Sequence, residues 1–231
     1  FEYPRPQFCR KSYFSLNGFW EYGFSENKEI QNYDGKILVP FCPESELSGV
    51  NRQLKPNEYL FYKKRFSLPQ DFNVGRILLN VGACDQICEV FVNGKYVESH
   101  KGGYLPFSID ITNFLLEGEN QEIVFRVQDN ANSDVYGRGK QVYKPGGIWY
   151  KATSGLWQSV WLESVPSQYI KSIKYDIDFD NKKLITTCEI KAFYKLSESL
   201  KISVLDENQV IEEKSVFVDF SDKKNNLINS N

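Results

Sequence analysis

The chain has 231 residues, enough for one large β-domain or for one complete domain and part of another. Apolar residues make up 41% and charged residues 25%, the balance of an ordinary globular protein. Twenty-eight basic against thirty acidic side chains leave a net charge of −2, and Lys and Arg form no cluster, so neither nucleic acid nor a membrane surface is an expected partner.

From the N-terminus onward, apolar residues recur at period two and helical periodicity is nearly absent. Turn signals punctuate the strands: Asn17-Gly18, Asp34-Gly35, Asn93-Gly94, Glu117-Gly118 and Gly146-Gly147. Runs at 77–81 and 90–92 predict strands buried on both faces. Asn93-Gly94 between 89–92 and 95–98 predicts a hairpin, since both residues tolerate the positive φ of a type I′ turn. A short helix is expected at 113–116, after Asp110-Ile111-Thr112. Ile123, Phe125 and Val127 alternate with Val124, Arg126 and Gln128, as do Ile173, Tyr175, Ile177 and Phe179 with Lys174, Asp176 and Asp178. Both patterns predict half-buried strands.

Val165-Pro166-Ser167 marks a domain boundary. Four regular alternating strands follow, near 170–179, 183–194, 200–205 and 210–218, and resemble the opening of an immunoglobulin-like sandwich. Such a domain needs about a hundred residues, and only 65 follow Pro166. Its apolar faces, for instance around Ile202 and Val204, are then expected to stay uncovered. Either disorder near the polar tail 221–231 or a dimer through this region would follow. Short strands without strand–helix repeats make the fold class all-β, built as stacked sheets.

Cys9, Cys42, Cys84, Cys88 and Cys188 are an odd, scattered set. Cys84 and Cys88 fall on one face of an extended strand, too far apart for a disulfide. With His100 the one histidine, no metal-ligand spacing exists, and reduced thiols favour a cytoplasmic location. No leader or long apolar run appears in the chain as it stands. It does not begin with Met, so a periplasmic or secreted origin stays open.

Two long loops stand out, one from Pro40 to about Leu60 and one at 129–155. Loops this long inside a compact domain usually have a job. The second mixes glycines, cations, amides and aromatics, which suits a polyhydroxylated ligand: an aromatic face meets a pyranose and polar groups meet its hydroxyls. Packing of those aromatics on a neighbouring domain fits the composition equally well. Glu44, Glu46, Glu58, Asp85, Asp110, Asp129 and Asp134 lie near loops, but none forms the carboxyl pair that glycoside hydrolysis needs. No nucleophile elbow or phosphate loop accompanies His100. The chain reads as non-catalytic, without metal or cofactor.

An ordered series of fragments adds to this. Tyr3-Pro4-Arg5-Pro6-Gln7 and Leu16-Asn17-Gly18-Phe19-Trp20 come first. Val39-Pro40-Phe41-Cys42-Pro43-Glu44-Ser45, Ser48-Gly49 and Phe61-Tyr62-Lys63-Lys64-Arg65-Phe66 follow. Then come Val90-Phe91-Val92-Asn93-Gly94, His100-Lys101-Gly102-Gly103-Tyr104-Leu105-Pro106-Phe107 and Asp110-Ile111-Thr112. Arg138-Gly139-Lys140-Gln141, Gly147-Ile148-Trp149-Tyr150 and Ser154-Gly155-Leu156-Trp157-Gln158-Ser159-Val160-Trp161-Leu162-Glu163 close the series. Over nearly its whole length the chain resembles the amino-terminal part of glycoside hydrolase family 2, of β-galactosidase type.

The resemblance implies a jelly-roll (galactose-binding-like) sugar-binding sandwich at 1–166 and an incomplete immunoglobulin-like sandwich at 167–231. It also implies a catalytic barrel, carrying both glutamates, on polypeptide that follows. In the family's β-galactosidases, first-domain loops reach over the barrel mouth and complete the sugar pocket. Asn57 resembles the asparagine of one such loop, and 138–149 resembles the other. The substrate-binding candidates are therefore Asn57, Arg138, Lys140, Gln141 and Trp149. The expected partners are a β-galactoside or related sugar and the barrel itself. Some relatives have a substrate-contacting aspartate just before the Trp, where this chain has Gly147 and Ile148. That is a departure from the galactosidase pattern, and glucuronidases and mannosidases share the fold. Asn93, Gly94, Gly102 and Gly103 read as turn residues, and His100 as a hydrogen-bonding support for the bend after it. Trp20, Trp157 and Trp161 read as packing residues in strands. A free-standing carbohydrate-binding module and a purely structural adhesion domain, whose 138–149 loop would pack as core, are the competing readings.

Overall fold

The structure is a computed structural model, and it describes residues 3–72, 75–118, 120–133, 135–194, 197–219 and 226–230. Asp134 lies outside them. The chain forms two compact units, Phe1–Ser164 and Val165–Asn231. No helix among the described residues is long and apolar enough to cross a membrane.

The first unit opens with β1 (Tyr13–Ser15), β2 (Gly18–Ser25), β3 (Gly35–Val39), β4 (Tyr59–Phe66) and β5 (Arg76–Val81). It continues with β6 (Cys84–Asp85), β7 (Ile87–Val92), β8 (Lys95–Lys101), β9 (Phe107–Asp110) and β10 (Gln121–Gln128). The short β11 (Gln141–Val142), β12 (Tyr150–Lys151) and β13 (Gly155–Leu156) precede β14 (Val160–Val165). One sheet has the order β1-β14-β5-β9 and a larger one the order β3-β2-β4-β10-β7-β8. Stacked face to face, they form a jelly-roll β-sandwich.

Alternation decides which side chains fill the space between the sheets. In β10, Ile123, Phe125 and Val127 are buried while Val124, Arg126 and Gln128 are half-buried. Trp20, Leu60 and Tyr62 from β2 and β4 meet Ile77, Leu79 and Leu162 from the opposite sheet in one core. In β5 and β14 the outward residues are covered too, because the N-terminal segment lies over them. Tyr3 Oη donates to Glu163 Oε1 at 2.6 Å, Arg10 pairs with Glu163 at 3.3 Å, and Arg5 donates to Asn80 Oδ1 at 2.5 Å. Trp161 Nε1 also donates to Glu163 Oε1 at 2.8 Å, so the buried carboxyl is surrounded by polar partners.

The hairpin β7–β8 turns at Asn93 and Gly94, with φ of +50° and +76°. Several other expectations give way. The strand at 90–92 is buried on one face, not two, because β7 alternates buried and half-buried residues along its length. The helix expected at 113–116 is a single 3-10 turn, Thr112–Phe114. His100 does not support the bend through Nε2, which is buried without a hydrogen-bond partner; the ring stacks on Phe107 at 4.2 Å instead. Cys84 and Cys88 are not held apart on one straight strand. β6 pairs with β13 and β7 with β10, so the chain turns between them and the two thiols hydrogen-bond. Trp20 and Trp161 are buried in strands, whereas Trp157 lies outside any strand and donates to Gly103 O at 2.8 Å.

The second unit comprises β15 (Gln168–Asp178), β16 (Lys183–Ala192), β17 (Ser197–Asp206), β18 (Gln209–Asp219) and β19 (Asn226–Ser230). Its sheets have the orders β15-β16-β19 and β17-β18, the antiparallel pattern of an immunoglobulin-like sandwich. The tail therefore supplies a strand at 226–230. β15 departs from the half-buried expectation: its Tyr175 and Ile177 are exposed, as is Phe179 just beyond its end.

Candidate functional site

Both long loops fold upon themselves before they meet. In the first, Ser45 caps the 3-10 turn Glu46–Ser48 by accepting from Leu47 N, and Arg52 N donates to Pro43 O. Buried Glu58 pairs with Arg52 at 2.6 Å and Lys55 at 3.5 Å, so the turn 55–58 is clamped and leaves Asn57 exposed on it. In the second loop, β11 and β12 pair in parallel, Gln141 with Tyr150 and Val142 with Lys151. Asn132 Oδ1 accepts from Tyr143 N at 3.1 Å, and Trp149 N donates to Gly146 O across a turn where Gly147 has φ of +60°. A side chain at 147 would oppose that backbone conformation. Gln53 Nε2 donates to Tyr143 O at 3.0 Å and joins the two loops.

The result is a lobe built on β-sheet and open to solvent. Ile148, Trp149 and Tyr150 are exposed, as are Tyr104 and Leu105 from the neighbouring connection. Lys140, Lys144 and Lys151 are exposed on the same lobe. Arg138 Cζ lies 5.4 Å from the Trp149 ring centroid, and Nη1 donates to Gln141 O at 2.7 Å. Lys140 O accepts from Tyr150 N at 2.8 Å, which fixes the backbone beneath its free-reaching side chain. Of the five residues singled out from sequence, Arg138, Lys140, Gln141 and Trp149 thus share one lobe, and Asn57 sits on the loop joined to it. Gln141 differs from the others. Its Oε1 accepts from Thr153 N and Oγ1 at 2.6 and 2.9 Å, its Nε2 donates to Tyr104 Oη at 2.9 Å, and its side chain also bonds Asp85. It works as a latch inside the lobe. The exposure of Trp149 removes the reading in which this loop packs as core.

Sequence reading missed a second constellation beneath the lobe. Glu44, Asp85 and Asp129 are all buried, and Ser154 Oγ lies 2.9 Å from both Glu44 Oε1 and Asp129 Oδ2. Glu44 also accepts from Leu54 N and Ser154 N at 3.3 and 3.0 Å. Burial, then Asp129 and Glu44, push the Asp85 carboxyl up to about 7. Burial likewise raises Asp129 to about 6 and moves Glu44 upward. A Cβ at position 103 would collide with the Asp85 carboxyl, so the backbone at Gly103 closes the cluster from above. The presence of these acids near loops was visible in sequence; their convergence from three distant segments was not. Among the described residues no group of three or more His, Cys, Asp or Glu is arranged to hold a metal ion.

Comparison with known proteins decides the lineage. The family model described as "Glycosyl hydrolases family 2, sugar binding domain" matches residues 29–166. The chain belongs to this family. A β-galactosidase of Thermoanaerobacter pseudethanolicus is 25% identical over 167 residues, 71% of this chain and 21% of that protein. A β-glucuronidase of Sus scrofa is 26% identical over 224 residues, 83% of this chain and 34% of that protein. The chain thus spans about a fifth to a third of the length of these family 2 relatives. A solved family 2 β-galacturonidase from Eisenbergiella tayi, bound to galacturonate, shares the fold with a TM-score of 0.69 at 16% identity. That match covers 98% of this chain and 38% of the other. A β-D-mannosidase from Dictyoglomus thermophilum has a TM-score of 0.67 at 18% identity, covering 94% and 30%.

Proposed function

We propose that this chain is the non-catalytic front end of a larger family 2 exo-glycosidase, and that its exposed loop lobe walls part of the sugar pocket. The catalytic barrel, with a glutamate as acid and another as nucleophile, would lie on polypeptide outside these 231 residues. Asn57, Arg138, Lys140 and Trp149 would face the substrate, a β-galactoside or β-glucuronide, while Gln141 holds the lobe in shape. The observation that carries this reading is the lobe itself: exposed aromatic and cationic side chains, held by backbone hydrogen bonds, on a rigid sandwich. The family match and the names of the relatives support it. All five cysteines are free, which supports a reducing cytoplasm for the parent enzyme. Exposed Ile211 and Phe217 on the second unit support self-association of the isolated chain.

A free-standing carbohydrate-binding module is the less favoured reading, because the curated relatives are glycosidases several times longer than the match. Titration of the isolated chain with galactose, lactose and glucuronic acid, followed by amide NMR, separates the two. A pocket completed only by the barrel predicts no saturable binding below about 1 mM, a free energy of about −4 kcal/mol. Sub-millimolar binding at the lobe would overturn the proposal and establish the module.

A further inference from the structure

The contacts around Ser154 do not balance if every carboxyl is ionised. Ser154 Oγ stands 2.9 Å from Glu44 Oε1 and 2.9 Å from Asp129 Oδ2, and a hydroxyl has one hydrogen to give. Two carboxylates cannot both be satisfied by it, so one of the two contacts requires a protonated carboxyl as donor. Glu44 already accepts from the backbone N–H groups of Leu54 and Ser154, which favour its anionic form. Asp129 has the hydroxyl as its hydrogen-bond partner.

We propose that Asp129 carries a proton in the folded chain and donates it to Ser154 Oγ, whose hydrogen goes to Glu44, so that ionisation of Asp129 sets two carboxylates competing for one hydroxyl hydrogen and weakens the Ser154–Glu44 bond that joins the 129–155 loop to the 40–58 loop. The relay ties together three segments far apart in sequence. Glu44 belongs to the first loop, Asp129 follows β10, and Ser154 closes the second loop immediately before β13. The proposal rests on this hydrogen-bond geometry and not on the sugar-facing reading of the lobe. It converts the lobe's attachment into a proton-dependent one.

The groups that face this relay are known from each element packed around it. β6 contributes Cys84 and Asp85, β7 Cys88, β4 the hydroxyl of Tyr62, and the first loop Cys42; Gln141 reaches Asp85 from the second loop. Burial pushes the Cys42 and Cys84 thiols and the Tyr62 phenol upward, so they stay neutral across the working range, and the other acid that titrates alongside Asp129 is Asp85. Both aspartates have folded values above the ordinary 3.8, at about 6 and about 7. The unfolded chain ionises first as pH rises. The aspartates' contribution to the attachment is therefore full below about pH 4, weakens through the window from 4 to 7, and is lost above it.

The test uses the whole 231-residue chain. Amide hydrogen exchange at Leu54 and Ser154, corrected for intrinsic rates, is followed from about pH 5 to about pH 8 in wild type and in Asp129→Asn. The asparagine amide donates to Ser154 Oγ at every pH. The expected result is a fall in protection of at least about tenfold in wild type and a much smaller fall, left to Asp85, in the variant. Equal slopes in the two proteins, or a flat wild type, would overturn the proposal. A carboxyl-carbon NMR titration of wild-type Asp129 decides the same point without a variant. A midpoint above about pH 5 supports the relay, and one at the ordinary value near 4 refutes it.

Discussion

Single residues in this chain show how closely backbone and side chain constrain each other at the base of the lobe. Gly155 has φ of +73°, and a Cβ placed on it would run into the Tyr62 hydroxyl and ring. Tyr62 Oη in turn accepts from Leu156 N at 3.2 Å inside the core. Gly155→Ala must therefore displace a fully buried tyrosine while adopting an unfavourable backbone conformation. Denaturant unfolding should show a loss of about 2–4 kcal/mol, at the upper end for a single methyl group. A loss below about 0.5 kcal/mol would mean that the strand end at 155 yields freely. Of the candidate site, Trp149 and Arg138 were singled out by the family resemblance of a loop that its length had already marked, and both lie on the lobe. Gln141 was legible as important but not as a latch, since its partners Thr153, Tyr104 and Asp85 come from separate segments. The Glu44–Ser154–Asp129 relay was invisible for the same reason, amplified: its 110-residue separation leaves no periodic trace.

At the scale of elements, strands were the most readable feature, because a two-residue period writes burial directly into sequence. β10 follows its pattern residue by residue, and the type I′ hairpin at Asn93-Gly94 follows from two residues. Pattern alone overreached where neighbours set the outcome. β7 has a half-buried outer face that a run of apolar residues did not disclose, and β15 keeps its apolar alternation while leaving Tyr175 and Ile177 exposed. The hairpin also does more than reverse the chain. Asn93 Nδ2 donates to Phe114 O and Gln121 Oε1, both at 2.9 Å, and its Oδ1 accepts from Glu122 N at 2.8 Å. It thereby pins the 3-10 turn and the start of β10 to the hairpin. Asn93→Ala loses these bonds and the tolerance for positive φ together, and thermal or urea unfolding should register about 2–3 kcal/mol. Asn93→Gly keeps the turn but not the bonds, so it should fall between the two. A Gly variant as poor as Ala would show that the turn conformation contributes nothing.

At the scale of the whole molecule, the first unit keeps its packed framework distinct from its exposed lobe. The sandwich of the first unit buries Trp20, Tyr62 and Phe125 between two sheets, while its longest connections form a lobe that leaves Trp149 and Tyr150 in solvent. Its buried acids tie those connections together. The match takes up about a fifth to a third of the length of the family 2 relatives, and the proposed reaction centre would lie outside it. The most direct measurement is kcat/KM of the complete gene product on aryl β-galactoside and β-glucuronide, comparing wild type with Trp149→Ala and Lys140→Ala. Both side chains are exposed, so the unfolding midpoint should stay put, whereas kcat/KM on the preferred substrate should fall by about tenfold or more, equivalent to about 1.4 kcal/mol. Unchanged kcat/KM in both variants would contradict the claim that this lobe forms part of the sugar pocket.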